Sequence, residues 1–402
     1  MKGTLKALAF VLITVFVDAV GIGIIIPVLP TLLQELVGGQ LGDVALYSGG
    51  LMFLFAALQF LTAPVLGNLS DHYGRRPVLL ASLASYGVDL IIMGLAPTIG
   101  WLFFGRALSG IFGATYVVAH AYIADVTPAE QRARGFGLLG AAFGVGFVVG
   151  PAIGGLLGDA DPRLPFFVSA GLVAANVVYG YFVLPESLAQ KNRREFSWRR
   201  AHAVGALRRL FHYPVVGALL VALFLYNSAY DSNPATWTFV TMEKFGWTPF
   251  DVGMSMTFIG ICIALFQGGV VGPLVNRIGE HGTIVAGFIL CGITFFGFAF
   301  ASAGWMMYAW VVPHALSSIA GPALTAVLSR RVPANEQGEL QGALSALRSI
   351  TSTWSPLMMT GLFSYFTRAG GYLYFPGASF FAAGMLTYLA LIGVLAALRR
   401  MD

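Results

Sequence analysis

The sequence alternates between long apolar stretches and short polar segments. A transmembrane helix needs roughly 20 mainly apolar residues, and twelve stretches meet that requirement. The predicted spans are residues 7–30, 46–68, 77–96, 101–124, 135–158, 165–184, 215–240, 251–274, 283–302, 305–329, 339–364 and 373–397. This pattern predicts an all-α membrane protein with twelve transmembrane helices.

The two halves of the chain are similar at a constant offset of 205 residues. The string at 67–74 aligns with the string at 272–279, and three further aligned pairs are Pro128 with Pro333, Gly137 with Gly342, and Pro151 with Pro356. A shared offset without gaps indicates a duplication. We therefore predict a six-helix bundle at 1–184, a cytoplasmic linker at 185–214 and a second six-helix bundle at 215–402. Parallel repeats of this kind, with a substrate site between them, are a known transporter plan.

Composition and charge agree with a membrane protein. The chain is 57% hydrophobic and 10% charged, whereas a soluble chain has about 25% charged residues. The net charge of +5 could suggest a nucleic-acid partner, but the basic residues lie in short loops. We expect no nucleic-acid partner. The expected partners are the lipid bilayer, protons and a small-molecule substrate, and we expect the monomer to be functional.

The distribution of Lys and Arg predicts the orientation. All but five of the 23 basic residues lie in segments on the same side as the N-terminus. Because positive residues accumulate on the cytoplasmic side, both termini are predicted to be cytoplasmic. The first apolar stretch follows two lysines, as in a signal peptide. It is too long for one and contains Asp18, so we interpret it as a retained helix.

The loop after the second span reads GNLSDHYGRRP, residues 67–77. Its two glycines allow a tight reversal, and its charges could pair in one conformation and separate in another. Asp125, at the inner end of the fourth span, is a candidate partner for Arg75. The alternative is a basic loop that only sets topology. The proposed gating motif consists of Gly67, Asp71, Gly74, Arg75, Arg76 and Asp125.

The fifth span contains a string of small residues at 140–155. Repeated small residues give a smooth face for a neighbouring helix, and a proline permits a bend. Taken alone, such a face indicates packing. The candidate functional positions in this string are Gly144, Gly150, Pro151 and Gly154.

These motifs resemble those of the major facilitator superfamily, over nearly the whole chain. The string from Asp18 to Pro30 resembles the opening of twelve-helix drug–proton antiporters. With residues 105–115 and 140–155, the strings are most similar to bacterial tetracycline efflux proteins. The resemblance implies a multi-pass protein of the bacterial inner membrane that exports tetracycline as a Mg²⁺ chelate in exchange for protons. It implies no cofactor.

Three charged residues lie within predicted spans of the first half: Asp18, Asp89 and Arg106. An ionisable residue at bilayer depth is costly unless it is paired or hydrated, so each is a functional hypothesis. A carboxylate poised between burial and a nearby cation can bind and release a proton. A fixed structural ion pair with Arg106 is the alternative. Tetracycline exporters carry matching residues, and this resemblance favours proton coupling.

The second half departs from the family pattern. The resemblance implies an acidic residue at the position of Cys291 and a histidine at that of Ile263, whereas Gln267 is retained. The seventh span instead holds a polar cluster, and we hypothesise that its Asp231 takes the role of the missing acid, paired with Arg348. The alternative is that Asp231 is only hydrated near the outer mouth.

The candidate substrate-binding residues are Gln59, Asn227, Asp231, Gln267 and Arg348. Either glutamine could instead be satisfied by a neighbouring helix. His120 and His314 are interpreted as packing residues.

No Cys/His spacing indicates a metal site, no catalytic set indicates an enzyme, and no P-loop string indicates ATP coupling. The alternative functions are export of another drug, a siderophore or a metabolite, or a membrane sensor or scaffold without transport.

Overall fold

The computed structural model describes residues 2–128, 131–196, 214–333, 337–368 and 370–399. These residues form α-helices and one 3₁₀ turn, with no strand among them. The helices are α1 Lys2–Ile25, α2 Leu29–Val37, α3 Leu41–Tyr73, α4 Arg75–Leu95, α5 Ile99–Phe112, α6 Thr115–Val126, α7 Arg132–Gly158, α8 Leu164–Val183, α9 Pro214–Tyr230, α10 Ser232–Phe245, α11 Pro249–Gly269, α12 Val271–Phe300, α13 Gly304–Ser317, α14 Ala320–Arg331, α15 Gln337–Thr367 and α16 Ala378–Leu398. The predicted all-α class is confirmed.

Ten segments in the described part of the chain are long and apolar enough to cross a membrane. The seventh predicted span is outside this set because it is split at Asp231 into α9, with 17 residues, and α10, with 14. The eleventh lies in α15, whose 31 residues are long enough but include Arg348 and many hydroxyl side chains. Each of the twelve predicted spans contains a helix, and the chain is a multi-pass membrane protein.

The predicted span ends are approximate, and several extend beyond the helices by about five residues. The first span was expected to continue to residue 30, but α1 ends at Ile25 because the residue before Pro27 disfavours the helical conformation. The eighth was expected to reach residue 274, but α11 ends at Gly269 and α12 begins at Val271. Both stretches remain apolar beyond the helix end, so hydropathy alone did not mark the break.

Backbone breaks recur at the 205-residue offset. The fourth span is divided into α5 and α6 at Gly113–Ala114, and the tenth into α13 and α14 at Ser318–Ile319. Gly74, which precedes α4, has a φ of 108°, and Gly279, at a kink within α12, has a φ of 71°. Only glycine adopts such angles without strain. The duplication seen in the sequence therefore extends to backbone geometry.

Helix capping repeats at the same offset. The Arg132 side chain donates a hydrogen bond to the Thr127 carbonyl, at 3.4 Å. In the second half, Gln337 donates to the Val332 carbonyl at 2.8 Å. Each bond satisfies a carbonyl that the end of a helix leaves without an intrahelical donor. The C-terminal ends of α6 and α14 are thus capped in the same way by different side chains.

Contacts divide the chain into two compact units. Unit 1 comprises Met1–Gly38, Leu54–His202 and Thr248–Thr257, and unit 2 comprises Gly39–Phe53, Ala203–Trp247 and Phe258–Asp402. Each unit therefore contains most of one sequence half and the first turns of one helix from the other half. Residues 197–213 of the predicted linker lie outside the described residues. The domain limits proposed from the sequence stay a prediction.

A core of buried apolar side chains holds α1, α4 and α6 together in unit 1. It includes Phe10, Leu79, Leu83 and Tyr122, all fully buried. This core packs α1 and α4 against α6 along the stretch that leads to Asp18 and Asp89. The charged residues of the first half are therefore carried on closely packed helices.

Candidate functional site

A buried ion pair joins the third and fourth predicted spans in unit 1. The Arg106 guanidinium of α5 donates to Oδ2 of Asp89 in α4. Asp89 is fully buried, and the Arg106 side chain is 14% exposed. Pairing offsets the desolvation of both charges, and the guanidinium also lies 5.4 Å from the centre of the Phe55 ring. Arg106 is thus paired with Asp89, and Asp18 forms no ion pair with another described residue.

Helix α5 approaches Asp89 closely because position 105 is a glycine. A Cβ atom on Gly105 would lie 2.6 Å from Oδ1 of Asp89, well inside van der Waals contact. Small residues allow this kind of approach between helices in a membrane. The glycine therefore leaves space beside the carboxylate that a larger residue would fill.

Tyr86 lies between Asp18 and the ion pair. It precedes Asp89 by one turn of α4, and its hydroxyl group reaches α1 at Gly21, where a Cβ atom would lie 2.7 Å from Tyr86 Oη. Asp18 is one turn before Gly21, on the same side of α1. Tyr86 is 7% exposed and interacts electrostatically with Asp18 and with both partners of the ion pair. The sequence analysis did not identify it.

Three buried polar atoms in this cluster have no hydrogen-bond partner among the described residues. They are Oη of Tyr86, Oδ1 of Asp89 and Nε of Arg106. Buried polar side chains are normally hydrogen-bonded, and exceptions often have a functional cause. The cluster therefore keeps both donor and acceptor capacity at one place in unit 1.

Both candidate glutamines bond to the helix breaks described above. Gln59 Nε2 donates to the carbonyl of Gly113, at 2.9 Å, where α5 ends. Gln267 Nε2 donates to Oγ of Ser318, at 3.4 Å, between α13 and α14. Each glutamine is thus held by a neighbouring helix, which was the alternative in the sequence analysis. Their role in substrate binding stays a prediction.

The polar cluster of the seventh span lies at the break between α9 and α10. The amide of Asp231 donates to the Asn227 carbonyl, at 2.9 Å, and Oδ2 of Asp231 has no partner among the described residues. Asp231 interacts electrostatically with Arg348 of α15. The two side chains do not form an ion pair. The predicted partners are therefore near each other, and Asp231 also interacts with the Thr351 side chain.

Both ring nitrogens of His314 are hydrogen-bonded. Asn233 Nδ2 lies 2.9 Å from His314 Nε2, and His314 Nδ1 lies 3.0 Å from the Thr294 hydroxyl. Because that hydroxyl already donates to the Cys291 carbonyl at 2.8 Å, it must accept from Nδ1–H. Nε2 then accepts from Asn233, which corresponds to a neutral imidazole. The packing interpretation of His314 agrees with this network.

The two positions that depart from the family pattern differ in environment. Cys291 is fully buried next to the hydroxyl groups of Ser317 and Thr387. Ile263 is half-buried in α11. The polar surroundings of Cys291 belong to unit 2, as does Asp231.

Arg75 is held by several oxygen atoms at the start of α4. Its guanidinium lies 2.5 Å from Asp71 and 3.2 Å from Asp125, and it donates to the Ser70 hydroxyl at 2.6 Å. The pairing of Arg75 with Asp125 that the sequence suggested is present. The predicted turn role of Gly67 is wrong, because α3 continues to Tyr73 and only Gly74 lies in the reversal.

Glu186 completes this loop and was not identified from the sequence. Its carboxylate accepts hydrogen bonds from the backbone amides of Arg75, at 2.8 Å, and Arg76, at 3.2 Å. Those amides belong to the first turn of α4, where a negative charge is stabilising. The Arg76 side chain donates to the Tyr181 carbonyl. Little in the sequence indicated this role, because Glu186 lies in the predicted linker, far from the motif.

The second half repeats the ion pair between these helices with the charges exchanged. Glu280 follows Gly279 as Arg75 follows Gly74, and it pairs with Arg330. At the 205-residue offset, Glu280 corresponds to Arg75 and Arg330 corresponds to Asp125. The pair therefore has the same place in each half and the opposite polarity.

The glycines of the fifth span are not equivalent. A Cβ atom on Gly150 would lie 2.6 Å from the Val20 carbonyl, and one on Gly154 would overlap the Ile24 carbonyl, so both pack against α1. Gly144 has nothing within 4 Å of an added Cβ atom. The carbonyl of Pro151 faces α11, where it would overlap a Cβ atom on Gly253. Three of the four candidate positions therefore lie at close helix contacts.

No group of three or more His, Cys, Asp or Glu side chains in the described residues could hold a metal ion. The two cysteines, Cys262 and Cys291, are both free. The charged and polar residues described above instead form several separate clusters in each unit.

The fold and the buried charges define a polytopic membrane protein built from two repeats. The sequence model of the Major Facilitator Superfamily matches residues 11–356, and the chain belongs to this superfamily. Among solved structures, a bacterial homologue of the human lysosomal transporter Spinster has a TM-score of 0.81 over 99% of this chain and 97% of that chain. Its sequence identity is 14%, so this similarity concerns the fold alone.

Curated relatives are similar over nearly their whole length. The class C tetracycline resistance protein of Escherichia coli is 42% identical over 359 residues, which is 89% of this chain and 90% of that protein. The class G tetracycline resistance protein of Vibrio anguillarum is 39% identical over 379 residues, 91% of this chain and 93% of that protein.

Proposed function

We propose that this protein exports a tetracycline-class drug across the inner membrane of a bacterium in exchange for protons. The observation that carries the proposal is the similarity to two tetracycline resistance proteins over about nine-tenths of each chain. The cargo is a small-molecule chelate with Mg²⁺, the protein needs no cofactor, and both termini are cytoplasmic. The proposal includes no enzymatic step.

The first-half cluster supports proton coupling. Asp18 is half-buried and free of an ion pair with any described residue, so it is suited to take up a proton. Asp89 holds Arg106 only while its carboxylate is charged, because the attraction disappears when the carboxylate is neutralised. Protonation therefore changes which contacts between α4 and α5 are favourable. Each charge moved through 100 mV contributes about 2.3 kcal/mol, which is adequate to bias a conformational equilibrium.

The loop around Arg75 supports a conformational cycle. Arg75 is shared by Asp71, Asp125 and Ser70, and these contacts join the ends of α3, α4 and α6. A set of contacts that forms in one conformation and separates in another gives a discrete switch. In the proposed cycle the gating motif closes when the substrate has left the cytoplasmic side.

Resistance and transport assays test the proposal. Expression in a drug-sensitive bacterium should raise the inhibitory concentration of tetracyclines, and everted vesicles should release protons when Mg²⁺–tetracycline is added. Asp18→Asn should abolish the proton release, since it removes the acid proposed to take up the proton and breaks no ion pair among the described residues. Membrane-inserted protein that gives no protection against tetracyclines would contradict the proposal.

A different lipophilic cargo is the second candidate. It is favoured by Cys291 and Ile263, where the family pattern implies an acid and a histidine. If Asp231 has taken over the role of the missing acid, Asp231→Asn should abolish proton-driven transport. Unchanged coupling in that variant would rule out this role. Protection against unrelated lipophilic drugs, without protection against tetracyclines, would favour the second candidate.

A further inference from the structure

We propose that the Tyr86 hydroxyl group passes protons between Asp18 and the Asp89–Arg106 ion pair. The inference rests on the proposed proton coupling and adds a residue and a route to it. Tyr86 would then be the group through which uptake of a proton on α1 reaches the contact between α4 and α5.

Tyr86 extends from α4 to α1. Its hydroxyl end lies against Gly21 of α1, one helical turn from Asp18. Its backbone is one turn from Asp89 on α4, so the phenol and the Asp89 carboxylate leave neighbouring positions of that helix. No side chain other than hydrogen fits at Gly21 without displacing the Tyr86 ring. The close approach therefore keeps the hydroxyl group beside α1.

Tyr86 and Asp89 each have hydrogen-bonding capacity that no described residue uses. A phenol can donate one hydrogen bond and accept another, and neither capacity of Tyr86 is used by a described residue. Asp89 engages Arg106 through Oδ2, whereas Oδ1 has no partner among the described residues. The cluster thus has unused donor and acceptor capacity on two of its members, and the Ser109 hydroxyl group also lies near Asp89. A buried hydroxyl group left unpaired is unfavourable, so a phenylalanine would suit a purely structural role better.

The proposed step moves two protons. When the phenol comes within hydrogen-bond distance of both carboxylates during the transport cycle, protonated Asp18 gives its proton to Oη of Tyr86, and the original hydroxyl proton of Tyr86 moves to Oδ1 of Asp89. One O–H bond forms on the phenol and one breaks, so the phenol stays neutral overall. Asp18 becomes a carboxylate and Asp89 becomes a neutral acid. Arg106 then loses its counter-charge, and its contact with α4 weakens.

Tyr86→Phe tests this route in proteoliposomes. We expect proton-driven uptake of Mg²⁺–tetracycline to fall by about 10²-fold, the scale of a lost proton-transfer group. Exchange of labelled for unlabelled substrate, which needs no net proton transfer, should stay at the wild-type rate. Tyr226→Phe, at another buried tyrosine in unit 2, is the control and should change neither rate. Wild-type proton-driven uptake in Tyr86→Phe would overturn the proposal.

A double variant and a spectroscopic measurement complete the test. If the two residues share one route, Asp18→Asn with Tyr86→Phe should be no slower than Asp18→Asn alone, and additive losses would overturn the proposal. Infrared spectra should show the protonated carboxyl band at higher frequency in Tyr86→Phe, because the proposed route requires the phenol to hydrogen-bond to the carboxyl group once that group is protonated. An unmoved band would overturn it. This measurement needs no substrate, so it decides the role of Tyr86 even where wild-type protein transports no tetracycline and the proposed function fails.

Discussion

Asp89 and Arg106 depend on each other because neither charge has an adequate alternative in its surroundings. Asp89 has no exposed surface, and the other neighbours of the guanidinium include the Phe55 ring. Removing one partner of a buried pair leaves an uncompensated charge, and the loss is larger than the net stabilisation that the intact pair provides.

Asp89→Asn and Arg106→Gln should therefore each lower the free energy of unfolding by about 3–5 kcal/mol. The double variant, which has no unpaired charge, should recover part of that loss. Unfolding in detergent micelles, followed by circular dichroism, measures both effects. Asp18→Asn breaks no ion pair with a described residue and is the control. Single variants as stable as Asp18→Asn would contradict the prediction.

Tyr374 gives a pH-dependent prediction outside the membrane-spanning helices, because it precedes α16, which begins at Ala378. Its hydroxyl group donates to Oε1 of Glu243 at 2.5 Å, and burial, with this bond and the Glu243 charge, raises the pKa of Tyr374 to about 12. A raised pKa favours the protonated form in the folded protein. The stabilisation is therefore complete below pH 10, the usual tyrosine value, and is lost as the pH rises through 12.

The ultraviolet absorbance of tyrosinate measures this titration. Glu243→Gln should lower the pKa of Tyr374, because it removes the negative charge that opposes ionisation. The difference spectrum between the two proteins should show one tyrosine that ionises earlier in the variant. Identical titration curves would show that Glu243 does not control Tyr374.

Sequence reasoning found the charged residues of the candidate site and not their neutral partners. Asp18, Asp89 and Arg106 are conspicuous because charges are rare within apolar spans. Tyr86 is not conspicuous, because an aromatic residue within a span is usually packing. Its significance depends on which atoms surround its hydroxyl group, and that information exists only in three dimensions.

At the level of single helices, α7 offers a comparison between two glycines of one motif. Gly150→Ala would place a methyl group 2.6 Å from the Val20 carbonyl, so it should lower stability by about 1–3 kcal/mol, as overpacking does. Gly144→Ala meets nothing within 4 Å and should be neutral or stabilising by up to about 1 kcal/mol.

Thermal unfolding of the two variants in the same detergent tests this difference. Both remove a glycine from the same helix, so helix propensity cancels and packing remains. Equal stability of the two variants would mean that the contact between α7 and α1 is not as close as the structure indicates.

The spans were predictable because each apolar stretch has the length of a membrane helix. The breaks at Asp231 and Ser318 were not, since neither residue interrupts the apolar pattern strongly. Gly113 carried a signal, because glycine is a weak helix former, but many other glycines in this chain lie within unbroken helices. Local sequence therefore predicts where helices occur better than where they are interrupted.

For the whole molecule, the exchanged ion pairs of the two halves predict the result of a charge swap. Glu280→Arg would place two arginines together, and Glu280→Arg with Arg330→Glu would restore a pair with the polarity of Arg75 and Asp125. Because Arg330 is 59% exposed, the single variant should lose only about 1 kcal/mol, with a reduced transport rate. Unfolding and resistance assays on the single and double variants check this. A double variant no better than Glu280→Arg would contradict it.

The reversed polarity of the two pairs also affects how a duplicated chain sorts its own helices during membrane insertion. The helices that carry Arg75 and Glu280 have related sequences, and each could meet the wrong partner while the chain is incompletely assembled. If helices of different halves paired, Arg75 would lie beside Arg330 and Glu280 beside Asp125, and the side chains in both pairs would repel each other. If both ion pairs had the same polarity, pairing between halves would be as attractive as pairing within a half. The sign change therefore disfavours pairing of a helix with the wrong half, since rejecting a wrong partner requires repulsion as well as attraction to the right one.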